Sequence, residues 1–175
     1  MNRPKYIIMH HTGGVDSDPL ADTSHHTFEI VNEWHRQLWN FKSSLGHFIG
    51  YHYFIDKKGV VTQGRADWEE GAHTKGYNTQ SIGICLAGNF DATKPVKAQE
   101  TALRALLLQL MNKHGIADTD IVPHRKFANK TCYGRNLTDS WARELVTVKG
   151  DNDLKKYTTM ELIQELQRRI AENDL

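Results

Sequence analysis

Short apolar runs alternate with longer helical stripes along this chain. Lys5 to His11 (KYIIMHH) is apolar and too short for a helix, which predicts a buried strand. Gly13, Gly14, Asp16, Ser17, Asp18 and Pro19 then interrupt the pattern and predict a loop. Phe28, Val31, Trp34 and Leu38 recur at three- and four-residue spacing, predicting a helix capped by Thr23 or Ser24. GYHYFID (Gly50 to Asp56) and VVTQG (Val60 to Gly64) flank Lys57, Lys58 and Gly59, the pattern of a β-hairpin. Ser81 to Ala87 (SIGICLA) reads as a second buried strand.

The second half carries the best helix pattern. Pro95 sits near its first turn, where a missing N–H costs little. Val96, Leu103, Leu106, Leu107, Leu110 and Met111 form its apolar side, and Gly115 marks its end. Asp120 to Val122 is a short strand, the stretch from Pro123 to Asn136 has neither period, and Trp141 to Val146 fits a short helix. Further on, Thr158 with Glu161 makes a capping box, Tyr157 can staple onto Leu162, and Leu162, Leu166 and Ile170 form a narrow stripe. This order predicts an α/β fold, a single-domain mixed β-sheet flanked by helices. Residues 1–140 are expected to form the functional domain, and 141–175 a C-terminal helical extension packed on it.

Composition narrows the function. The 175 residues suit one domain, and 39% hydrophobic with 25% charged residues is ordinary for a globular protein. A formal net charge of +1 supplies no global field for nucleic acid, so none is expected as a partner. No apolar run approaches the roughly 18 residues of a membrane span. The amino terminus, MNRPKYIIMHH, lacks the apolar core of a secretory signal, which predicts cytoplasmic synthesis. Two cysteines exclude a disulfide-built scaffold. Cys85 lies in the apolar strand and reads as core, whereas Cys132 lies in a polar loop beside Lys130, where positive charge favours a thiolate.

The candidate chemistry starts in IVPHRKFANKTCYGRNL, residues 121–137. His124 leaves a strand end and Cys132 follows in a loop that can fold both onto one metal. At the other end of the chain, His10 and His11 leave an apolar strand for a glycine turn. One of them would supply a third ligand, a nitrogen, and three nitrogen or sulfur ligands with an open fourth position describe a catalytic zinc site. Adjacent Tyr51 and His52 face opposite sides of a strand, so one can look into a site. His73 lies in GAHTKGYNTQSIGI, a small-residue loop able to wrap a polar ligand.

Four pieces in order, IIMHHT, GYHYFIDKKGVVTQGR, GAHTKGYNTQSIGICLAGNF and VPHRKFANKTC, span roughly residues 6–137. In these the chain resembles the zinc-dependent N-acetylmuramoyl-L-alanine amidases, the family of phage amidase-type lysozymes and animal peptidoglycan recognition proteins. The resemblance implies one Zn²⁺ per chain held by His10, His124 and Cys132, with Tyr51 and Lys130 as catalytic residues. It implies a peptidoglycan groove lined by Arg65, His73, Lys75 and Asn78. It also implies hydrolysis of the amide between N-acetylmuramic acid and L-alanine, by a monomeric phage endolysin reaching the wall after holin-type release. Alternatives are a non-catalytic peptidoglycan-binding module and a lysin that also restrains an RNA polymerase. Members commonly have Cys-Pro after the metal loop; here Cys132 is followed by Tyr133 and Gly134.

Overall fold

A computed structural model describes residues 1–147. The predicted capping box at Thr158 and the stripe of Leu162, Leu166 and Ile170 lie outside the described residues. Five strands form one mixed sheet: β1 (Tyr6–His11), β2 (Tyr53–Ile55), β3 (Val61–Gln63), β4 (Ser81–Leu86) and β5 (Ile121–Pro123). Their spatial order is β3-β2-β4-β1-β5, parallel except for the β2/β3 hairpin. The central strands β1 and β4 are buried on both faces, which explains why they read as continuous apolar runs rather than alternating ones.

Alternation along the strands divides the core in two. Ile7, Met9, Ile82, Ile84 and Leu86 pack against Leu103, Leu106, Leu107 and Leu110 of α2 (Lys97–His114), with Ala142 of α3 (Trp141–Glu144) in the same cluster. On the opposite face Phe54, Cys85 and Ala87 meet Phe28 and Val31 of α1 (Phe28–Trp39). His10, out of phase with Ile7 and Met9, therefore points to the α1 side. Among the described residues no helix is long and apolar enough to cross a membrane.

Three local expectations change. The cap of α1 is Thr27, whose hydroxyl accepts from the Ile30 amide, not Thr23 or Ser24. Its buried stripe is Phe28, Val31 and His35, while Trp34 and Leu38 are 42% and 68% exposed. The spacing was helical, but periodicity alone does not say which of two overlapping stripes faces the core. In α2 the buried Gln99 replaces the exposed Val96 at the core: its amide donates to the Ala87 carbonyl and its carbonyl accepts from the Val96 amide.

Candidate metal centre

His10, the fifth residue of β1, and His124, the residue after β5, come together because the two strands are neighbours in the sheet. The loop beyond His124 carries Cys132 back to them. Arg125 holds that loop: its guanidinium donates to the carbonyls of Thr131, Gly134 and Leu137 and to the Asp139 carboxylate. Asp91 ties it from outside, accepting from the Thr131 hydroxyl and the Arg135 amide. Tyr133, at the position after Cys132, is buried, and its hydroxyl donates to the Thr138 carbonyl.

The potential ligand atoms of His10, His124 and Cys132 lie within 4.8 Å of one another. His10 Nδ1 is 3.7 Å from Cys132 Sγ. Tetrahedral zinc, with bonds of about 2.0–2.1 Å to nitrogen and 2.3 Å to sulfur, spaces its ligand atoms roughly 3.4–3.6 Å apart. The donor set fits that ion, and the His10–Cys132 pair stands close to its spacing. Burial holds the His10 imidazole well below its ordinary pKa, with neighbouring His73 and His124 adding to the effect. Burial, then Lys130, brings His124 down to about 4. Both rings are neutral at pH 7 and keep a lone pair for a cation. Burial pushes the Cys132 thiol up to about 12, so the thiolate needs a cation beside it to form at neutral pH.

His11 does not join the cluster. Its Nδ1 accepts the Phe90 amide at 3.0 Å, on the other side of the strand. Tyr51 does face the cluster, its ring 4.9 Å from that of His10, while the neighbouring His52 is fully buried. Burial, then the nearby Cys85 and Cys132 thiols, raises the Tyr51 pKa well above its usual value. Cys85 is therefore core, as its strand predicts, and also a neighbour of the site.

An open cavity of about 1010 Å³ has His10, His124, Cys132 and Tyr51 in its lining, together with exposed Lys130 and Lys75. Trp39, the last residue of α1, joins them with an exposed ring. A second cavity of about 770 Å³ lies behind the metal loop, lined by Arg125, Lys126 and Arg143, and holds none of the three potential ligands. His73 and Asn78 border the main cavity but are already engaged. Asn78 Oδ1 accepts the His73 and Thr74 amides, and His73 Nδ1 is 3.0 Å from His10 Nε2.

Arg65 is not in the cavity, which corrects its expected place in the substrate groove. It is 1% exposed, its ring of donors satisfied by the carbonyls of Ile49, Glu70 and Phe41. Its guanidinium also lies 4.2 Å over the Phe41 ring. An arginine next to a strand in a glycine-flanked motif reads the same whether its fork meets a ligand or backbone carbonyls.

Known proteins resemble this chain over most of its length. The family model described as N-acetylmuramoyl-L-alanine amidase matches residues 1–135. The endolysin of Klebsiella phage KP32 is 33% identical over 123 residues, covering 67% of this chain and 76% of the relative. Peptidoglycan-recognition protein SD of Drosophila simulans is 34% identical over 137 residues, 77% of this chain and 69% of that one. Among solved structures, the N-acetylmuramoyl-L-alanine amidase LysC from Clostridium intestinale superposes with a TM-score of 0.68 at 30% identity, covering 85% of this chain and 88% of its own. With the family match extending from the first strand through the loop that brings Cys132 to His10 and His124, the chain belongs to the N-acetylmuramoyl-L-alanine amidase family.

Proposed function

We propose that this chain is a zinc-dependent peptidoglycan amidase of the endolysin kind, cutting the amide between the lactyl group of N-acetylmuramic acid and L-alanine. The observation that carries the zinc reading is the convergence of His10, His124 and Cys132 beside an open cavity in a chain of this family. Water adds across the C–N bond, leaving a carboxylate on the lactyl side and a free amino group on alanine. Zinc, when bound by these three residues, supplies a nucleophile at neutral pH and charge stabilisation for the scissile carbonyl.

The remaining work falls to the chain's own side chains. Tyr51, kept protonated by burial and lining the cavity beside His10, supplies a hydrogen-bond donor for the developing oxyanion. Lys130 brings an exposed ammonium to the same cavity. Lys75, exposed on the cavity wall, suits the carboxylates of a stem peptide, and Trp39 offers a flat apolar face to the substrate. Digestion of purified cell wall with and without a chelator tests the reading. New alanine amino termini that vanish on chelation and return with added zinc are expected. New reducing sugar ends, or cleavage indifferent to the chelator, would overturn it.

A further inference from the structure

The contact between His10 and His73 resolves into a directed hydrogen bond. His10 turns Nδ1 toward Cys132, at 3.7 Å, and Nε2 away from the cluster, toward His73. A neutral imidazole that offers a lone pair at Nδ1 carries its proton on Nε2, and that proton needs an acceptor. His73 Nδ1 stands 3.0 Å away. The other nitrogen of His73 faces Ser81 Oγ at 3.5 Å. The Ser81 hydroxyl donates to the Tyr77 carbonyl at 2.7 Å, so toward His73 it presents a lone pair. With its own proton on Nε2, facing Ser81, His73 leaves Nδ1 to accept from His10, and the Thr74 hydroxyl lies 3.0 Å from the same atom.

The ring is also built into place. A Cβ at Gly83 would come within 2.6 Å of His73 Cδ2, and one at Gly71 within 2.5 Å. Only glycine at these two positions leaves the slot that the imidazole fills. Asn78 Oδ1 fixes the backbone beneath it, accepting the amides of His73 and Thr74 at 2.9 and 2.8 Å. Thr74 Oγ1 closes the arrangement, 3.0 Å from His73 Nδ1 and 3.5 Å from His10 Nε2.

We propose that His73 is a positioning residue for the metal ligand His10, not a substrate contact: it accepts the Nε2–H of His10 and so fixes the tautomer and ring orientation that present Nδ1 to the cation. This rests on the zinc reading above. Partners of this kind typically change metal affinity by about 10- to 100-fold.

Two variants of nearly equal size isolate the effect. His73→Asn keeps an acceptor oxygen near the Nδ1 position, and His73→Leu removes it, while both leave the same space between the glycines. Zinc dissociation constants from chelator competition are measured beside the visible spectrum of the cobalt-substituted protein and the melting temperature of the metal-free form. His73→Leu should bind zinc about 10- to 100-fold more weakly, with an altered cobalt spectrum, and His73→Asn should recover most of the loss. The two metal-free variants should melt together. Equal zinc affinity in the two variants overturns the proposal while leaving the zinc reading intact; a wild-type protein that takes up no zinc overturns both. Nitrogen-15 shifts of the histidines in the zinc-loaded wild type provide a check independent of variant folding. They should show His10 and His73 both protonated at Nε2, and a proton on His73 Nδ1 overturns the proposal.

Discussion

His10 and His11 are adjacent in sequence and face opposite sides of the sheet, so their substitutions separate cleanly. His10→Ala, His124→Ala and Cys132→Ala should each lose zinc and wall hydrolysis together. His11→Ala should keep its zinc but melt lower, because the Phe90 amide loses its acceptor. An unsatisfied buried donor costs about 1–3 kcal/mol. Metal content by atomic absorption beside thermal melting checks both, and loss of zinc in His11→Ala alone would move the ligand register by one residue. Tyr51→Phe should retain full zinc while its turnover falls by about 10²–10³, the usual cost of one oxyanion donor; a wild-type rate would remove Tyr51 from the mechanism. Arg65→Ala should act on stability, since it strands the carbonyls of Ile49, Glu70 and Phe41. A loss of at least about 3 kcal/mol is expected at about 1–3 kcal/mol per stranded group. A stably folded Arg65→Ala protein with weakened wall binding would return this residue to the groove.

At the scale of elements, the site is a strand end, a loop and their ties. Residues 124–137 contain no long regular element, so the position of Cys132 depends on the bonds that Arg125 and Asp91 make across the loop. Asp91→Ala releases the Thr131 hydroxyl and the Arg135 amide together. Zinc retention in chelator competition should fall about tenfold, the equivalent of a net 1–1.5 kcal/mol for a lost hydrogen bond. The melting temperature of the metal-free form should change little, because the core on either side of the sheet is untouched. An unchanged zinc affinity would show that Arg125 alone sets the loop.

Across the whole molecule, buried neutral histidines make stability depend on acid. His11, His35 and His52 are each lowered to about 4, with burial the largest cause. Each accepts a backbone amide at Nδ1, from Phe90, Gly50 and Gly83 respectively. Their folded pKa lies below the unfolded value near 6.5, so between the two the unfolded chain binds more protons. Their contribution is fully present above about pH 6.5 and is lost as pH falls toward 4, by at most about 1.4 kcal/mol per unit for each group. Burial pushes the Asp67 carboxyl up, but bonds from Lys113, Tyr53 and His114 outweigh it and hold the group below 3.8, so its contribution has the same sign and is lost only below that pH. Melting of the metal-free protein should fall steeply from pH 7 to pH 5. A flat profile over that interval would mean that these imidazoles are protonated in the fold.

Local pattern was enough for the strands, the long helix and the kinds of side chain that gather at the site. Apolar runs at Lys5–His11 and Ser81–Ala87 could only be buried strands, because no other short structure hides so many branched side chains and satisfies its backbone. The α2 stripe and Gly115, at φ 65°, likewise follow from local rules of burial and capping. His10, Tyr51, His124 and Cys132, which the fold brings together, stand in the ordered motifs that carry the family resemblance, while residue type alone left His10 and His11 as alternatives. Direction and engagement came from the folded chain alone. Whether a polar side chain meets a ligand or a neighbour depends on contacts distant in sequence, such as Arg65 with Phe41 or His73 with His10. Residue type and local spacing are identical in both cases. The same holds for α1, where Trp34 and His35 sit side by side and packing against the sheet, not periodicity, chose the histidine for the core.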